Sequence, residues 1–177
     1  MKETVNMLIS AEQIKDKIKE ITTQIEKDFN GEDIVLVCIL KGGVMFMVDI
    51  AKNLTQNVTF DFMDVSSYGN GTESSGNIKI NKDLENPIEG KNVIIVEDII
   101  DSGRTLNYLY KYLKEKKPNK LKICTLLDKP ERRVFDIDVD YVGFEIPDKF
   151  IVGYGLDYAE RYRNLPYIGI LNFEEDK

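Results

Sequence analysis

A three-layer α/β domain around a mostly parallel sheet is predicted by two features of this chain. Short, β-branched apolar runs at Ile34–Leu40, Val93–Val96 and Leu121–Leu127 read as strands buried on both faces. Segments with apolar residues at three- and four-residue steps stand among them and read as helices packed on the sheet. The first such segment opens with Ser10 and Gln13, a capping box, followed by Ile14, Ile18, Ile21, Ile25 and Phe29 on one face. Asn30-Gly31 should end that helix before the strand Ile34–Leu40. Lys41-Gly42-Gly43 then turns the chain into a helix over Val44–Leu54, whose apolar face could cover the sheet or a partner. A strand over about Val58–Val65 leads to Ser66–Gly76, which has no apolar periodicity and reads as a long loop. Beyond Ile78–Ile80 and the Asn86-Pro87 turn come the strand Val93–Val96, a helix over Thr105–Lys116 and the strands Leu121–Leu127 and Tyr141–Phe144. From Ile146 the sequence looks irregular until the short apolar Tyr167–Leu171.

Composition narrows the chemistry. The 177 residues make one domain, 1–177, at the usual domain size. With no histidine, Ser-His-Asp and Cys-His nucleophile systems and His-ligated zinc are excluded. Cys38 and Cys124 lie inside apolar runs and read as reduced core residues. The longest unbroken apolar run, Ile34–Leu40, is far short of the about 20 residues a membrane span needs. Met1–Met7 carries charge with no apolar stretch behind it, so no secretory or transit segment is expected and the cytoplasm is the expected location. A net charge of −7 disfavours generic nucleic-acid binding. A small phosphorylated ligand is still compatible with it, since backbone N–H groups and a few cations suffice.

In open parallel sheets ligands sit beyond the carboxyl ends of the strands. That rule selects Lys41–Gly43, Glu97–Thr105 and Asp128–Arg133. The middle segment is the strongest signal. A buried strand delivers Glu97 and Asp98, then Asp101, Ser102, Gly103, Arg104 and Thr105 open a helix. Small and hydroxyl-bearing residues there let backbone N–H groups close on a phosphate at the positive end of the helix dipole. Glu97 and Asp98 could accept hydrogen bonds from vicinal sugar hydroxyls.

This stretch resembles the ribose-phosphate signature of the phosphoribosyltransferases. Leu40-Lys-Gly-Gly43, Ser67-Tyr68, Leu127-Asp-Lys-Pro130, Val142–Phe150, Gly153–Tyr158 and Arg163 follow in the order of the members that act on hypoxanthine and guanine. The resemblance implies transfer of a 5-phosphoribosyl group from phosphoribosyl pyrophosphate to a 6-oxopurine, with Mg2+, giving a nucleotide and pyrophosphate. It also implies a small hood over the base, to which residues 146–177 contribute.

Carried over residue by residue, the resemblance makes Asp101 the proton acceptor or donor at the purine N7 and Ser102–Thr105 the 5-phosphate loop. Ser102 stands where relatives often have threonine, and keeps the hydroxyl. Lys41, Gly42, Gly43 and Arg163 would meet pyrophosphate, with a non-proline cis peptide at Leu40–Lys41. Lys129 would donate to the purine 6-oxygen, Phe150 would stack on the ring, and Ile151 would offer main-chain groups. Asp157 matches a position near a second magnesium ion and the purine 2-position, so Glu97, Asp98 and Asp157 are the expected metal carboxylates. Ser67 and Tyr68 match a lid loop that closes over the site. Taken alone, Lys41-Gly42-Gly43 would pass as an ordinary turn, Phe150 as core, and Lys129, Asp157 and Arg163 as surface charges. Relatives assemble as homodimers or homotetramers. Xanthine shares the 6-oxygen and is a third candidate base, and a nucleotide- and RNA-binding regulator is the reading from another class; the acidic balance offers it no basic face.

Overall fold

A computed structural model describes residues 2–68 and 77–174. The elements run β1 (Lys2–Ile9), α1 (Ala11–Phe29), β2 (Ile34–Ile39), α2 (Val44–Asn53), β3 (Val58–Tyr68), β4 (Asn77–Lys82) and β5 (Asn92–Ile100). They continue with α3 (Arg104–Glu115), β6 (Lys120–Asp128), a single 3-10 turn at Pro130–Arg132, β7 (Tyr141–Glu145), β8 (Ile151–Val152) and β9 (Ile168–Glu174).

Six strands form the main sheet in the order β4-β3-β2-β5-β6-β7, parallel except for β4 at one edge. The alternation of β2 sorts its side chains into two layers. Leu36 and Cys38 enter a cluster with Ile14, Ile18, Ile25 and Phe29 of α1 and with Phe46, Met47 and Ile50 of α2. Val35, Val37 and Ile39 enter the opposite cluster with Leu106, Leu109 and Leu113 of α3. The helix α2 therefore turns its apolar face inward, leaving Met45 and Val48 exposed. Both cysteines are buried and free, and burial pushes the Cys38 thiol up to about 12.

The ends of α1 follow the sequence signals. Ser10 Oγ accepts the Gln13 N–H at 3.2 Å, and Gln13 Oε1 accepts the Ser10 N–H at 2.9 Å. Asn30 closes the helix in the left-handed region at φ 49°.

A second, three-stranded antiparallel sheet has the order β1-β9-β8. The N-terminal strand, and the strands within the segment read as largely irregular, escaped the sequence reading. Ile9, Ile151, Tyr154, Leu156 and Ile168 of this region pack into the same cluster as α1 and α2, so its core is continuous with that of the main sheet. A further correction concerns Ser66–Tyr68, expected to open the long loop. Their backbone instead extends β3, with Ser67 opposite Ile78 and Tyr68 opposite Asn77 of β4, past a register shift at Asp64/Val65. The rest of the expected lid, 69–76, lies outside the described residues.

Phe29 is fully buried at the point where α1 meets the sheet, and the adjacent Asp28 accepts the Tyr141 hydroxyl at 2.7 Å. Phe29→Ala is expected to cost about 3–5 kcal/mol, read as a lowered urea midpoint at unchanged m-value.

Candidate active site

The parallel register sets the site. Val35–Cys38 of β2 lie opposite Val93–Val96 of β5, so the turn after β2 arrives beside the carboxylates that end β5. The Leu40–Lys41 peptide is cis, as the resemblance implied. Gly42 follows with its Cα pressed on Asp98: a Cβ there would stand 1.7 Å from Asp98 Oδ2. From the other side Gly155, at φ +102°, lies against Gly42, where a Cβ would stand 2.1 Å from the Gly42 carbonyl oxygen. Only glycine allows both approaches.

Burial raises both Glu97 and Asp98, and the adjacent Asp98 charge pushes Glu97 further above the usual carboxylate range. Asp98 Oδ1 accepts its neighbour Ile99's N–H at 2.8 Å. Two cavities open beside the pair. One, of about 230 Å³, is lined by Glu97, Val65 and the run Ile99–Leu106, so the free N–H groups of the first turn of α3 border it. Gly103 enters that helix at φ +79°, and Ser102 Oγ accepts the Arg104 N–H at 3.3 Å. The other, of about 240 Å³, is lined by Asp98, Ile99, Asp101, Lys129, Phe150, Ile151, Leu156 and Asp157. Ile99 and Asp101 border both, which puts the turn opening α3 and the second cavity side by side.

Lys129 is buried at the second cavity. Its Nζ donates to the Lys149 carbonyl at 2.8 Å and stands 3.7 Å from Asp101 and 3.6 Å from Asp148. Arg132 pairs with Asp148 at 3.2 Å, and that hydrogen bond holds the Asp148 carboxyl below its ordinary value. The Phe150 ring, half exposed, meets Tyr158 edge-on at 5.4 Å, and Tyr158 meets Phe173 at 5.3 Å.

Lys41, Gly42, Gly43 and Arg163 line neither cavity; Gly42 and Arg163 meet at Gly155, while Lys41 reaches Glu160 and Gly43 packs on the Ile39 and Val96 carbonyls. Arg163 Nη1 donates to the Gly155 carbonyl at 2.8 Å, and Nη2 stands 3.0 Å from Asp157 Oδ1. Ser67 and Tyr68 close β3, the strand whose Val65 borders the first cavity. The resemblance carried Asp148, Gly155 and Tyr158 inside its motifs without giving them a role, and Glu160 lay outside every motif.

A doubly covered parallel sheet with a carboxylate pair at a central strand end and a phosphate-type turn opening the next helix defines an enzyme of phosphorylated sugars. The particular family follows from comparison. Residues 5–159 match the family model of the phosphoribosyl transferase domain, and the chain belongs to that family. It is 53% identical over 173 residues to the hypoxanthine-guanine phosphoribosyltransferase of Streptococcus thermophilus (strain CNRZ 1066), covering 98% of this chain and 96% of that one. A crystal structure of a hypoxanthine-guanine phosphoribosyltransferase from Bacillus anthracis superposes with a TM-score of 0.91 at 50% identity, over 97% of this chain and 100% of that one. The hypoxanthine phosphoribosyltransferase of Trypanosoma cruzi, solved with its product IMP, gives 0.87 at 40% identity, over 94% and 93%.

Gly42→Ala must displace either the Asp98 carboxylate or the turn, and is expected to lower kcat/KM of the transferase by about 100-fold. Gly31→Ala, where a Cβ meets nothing within 4 Å, lies at the other end of β2 and is the control for a glycine substitution away from the site.

Proposed function

We propose that this chain carries out purine salvage, moving the 5-phosphoribosyl group of phosphoribosyl pyrophosphate to hypoxanthine or guanine and releasing pyrophosphate with IMP or GMP. The observation that carries the reading is Lys129, a buried ammonium at a cavity bordered by Phe150 and Ile151 and sharing Asp101 with the phosphate turn. An ammonium donates only, so it suits a purine 6-oxygen and meets the 6-amino group of adenine donor to donor. Xanthine presents the same oxygen and is the further candidate base.

Breaking the anomeric C–O bond leaves positive charge on the ribose and negative charge on pyrophosphate. In this reading Ser102, Gly103, Arg104 and Thr105 hold the 5-phosphate on backbone N–H groups at the α3 N-terminus. Glu97 and Asp98 accept the ribose hydroxyls beside the developing cation. Lys41, Gly42, Gly43 and Arg163 receive the pyrophosphate. Asp101, common to both cavities, takes the N7 proton as the glycosidic bond forms. Phe150 stacks on the base, Ile151 offers main-chain groups, and the strands β1, β8 and β9 form the hood to which residues 146–177 belong. Ser67 and Tyr68 begin the lid that excludes water.

Asp157 and the Glu97–Asp98 pair fit Mg2+. Among the described residues no group of three or more potential ligands converges on one point, and Mg2+ is characteristically held by one or two carboxylates with substrate oxygens and water. When bound it supplies charge neutralisation to the pyrophosphate. No helix of the described residues is long and apolar enough to cross a membrane; the cytoplasm is the location this reading assigns to the enzyme. Exposed Met45, Val48 and Phe60 offer apolar surface for a homodimer or homotetramer.

Turnover should be measured with hypoxanthine, guanine, xanthine and adenine in turn. Hypoxanthine and guanine are expected to react and adenine hardly at all, and Lys129→Met should lower kcat/KM for hypoxanthine by about 10- to 100-fold. Absence of turnover with every base, while phosphoribosyl pyrophosphate still binds, would overturn the reading. Tyr158 braces the stacking ring, so Tyr158→Leu is expected to raise KM for the base by about two- to tenfold, with Tyr158→Phe near wild type. Equal losses in the two variants would remove the bracing role.

A further inference from the structure

The two cations assigned to pyrophosphate come from opposite ends of the chain, and a single carboxylate already joins them. Glu160 Oε2 stands 3.0 Å from Lys41 Nζ and 3.6 Å from Arg163 Nη2. Its backbone is held in place for this. Ala159 and Glu160 are successive left-handed residues, at φ 49° and 62°, and the Glu160 N–H donates to Asp157 Oδ2 at 2.8 Å. Tyr158 and Arg161 close the turn with reciprocal backbone hydrogen bonds of 3.1 and 3.0 Å.

As a stability device the arrangement is poor. The Lys41 and Glu160 side chains are 64% and 67% exposed, and exposed pairs contribute little to folding. As a device of affinity it is well placed, because an anion arriving at Lys41 and Arg163 must first take these cations from the carboxylate already there.

We propose that Glu160 is an internal stand-in for pyrophosphate: it occupies Lys41 and Arg163 in the free enzyme, is exchanged for the incoming phosphates, and returns as pyrophosphate leaves. This positioning role rests on the assignment of the 41–43 turn and Arg163 to pyrophosphate. Glu160 thereby weakens the binding of phosphoribosyl pyrophosphate and of pyrophosphate, and shortens the stay of the product. It touches neither cavity, so the base is unaffected.

The distinguishing experiment is Glu160→Gln, which keeps the shape and removes the charge. Inhibition by pyrophosphate is expected to tighten by about two- to tenfold, and KM for phosphoribosyl pyrophosphate to fall in the same sense, with KM for hypoxanthine unchanged. A gain of affinity is the telling readout, because structural damage would weaken binding. In a Lys41→Met background the gain should shrink, since half of the competition is already gone. Pyrophosphate binding that is unchanged or weaker in Glu160→Gln overturns the proposal. Pyrophosphate titrated calorimetrically into both proteins decides the same point without turnover. A wild-type protein inactive with every base would thus count against the proposed reaction, and the calorimetric comparison would still decide the role of Glu160.

Discussion

The contact between the Gly42 backbone and the Asp98 carboxylate is the constraint around which the site is arranged. It joins the turn after β2 to the end of β5, and Gly155 presses on the far side of the same turn. Three segments distant in sequence thus meet at two glycines that put no side chain of their own into the contact. The parallel register of β2 on β5 brings the first two together, and the continuous core under β8 and β9 brings the third. Each contact is a steric statement about a missing methyl group, which is why the turn tolerates no substitution that its φ angle alone would allow.

In the proposed reading this stacking places the turn assigned to pyrophosphate directly against two acids. Burial raises Glu97 and Asp98, and the Arg163 charge partly offsets this at Asp98. The surrounding pairs show the same balance. Lys129 faces Asp101 and Asp148, Arg133 pairs with Asp128, and Arg163 faces Asp157 and Glu160. Each of these three cations is thus met by a carboxylate in a chain of net charge −7, and in the proposed reading selectivity for a phosphorylated sugar comes from N–H geometry more than from net field.

Much of this was legible in the residues, and the division follows the range of the signal. The capping box of α1, the buried runs of β2, β5 and β6 and the turn from Asp101 to Thr105 are encoded within a few neighbouring residues, and each lies where it was expected. The strands β1 and β9 are not. They pair from Lys2 with Glu174 to Ile9 with Ile168, almost the length of the chain apart, and Lys2–Ile9 alternates too weakly between exposed and half-buried positions to announce itself. Ser66–Tyr68 looked like loop because serine is a poor strand former, yet pairing with β4 supplies what propensity lacks. At the site the same rule holds. Lys129 and Phe150 stand inside motifs that suggest their roles, whereas the roles of Gly155, though it too lies in a motif, and of Glu160 follow from Gly42 and Lys41, more than 110 residues away.

Where cations meet carboxylates before any ligand arrives, affinity becomes a matter of exchange. An isolated Lys41 and Arg163 would be held only by water, and a multiply charged phosphate would bind them at the full Coulombic advantage. With Asp157 and Glu160 already in contact, the incoming anion gains only the difference between its own contacts and theirs. Partner exchange of this kind suits a site that must take pyrophosphate as part of a substrate and give it up as a product. Tight binding of the free product would be the slow step, because uniform binding of ground states adds nothing to the chemical step. The left-handed turn at Ala159 and Glu160 keeps the carboxylate within reach of both cations, so in the proposed reading the loop that receives the anion also carries the group that competes with it.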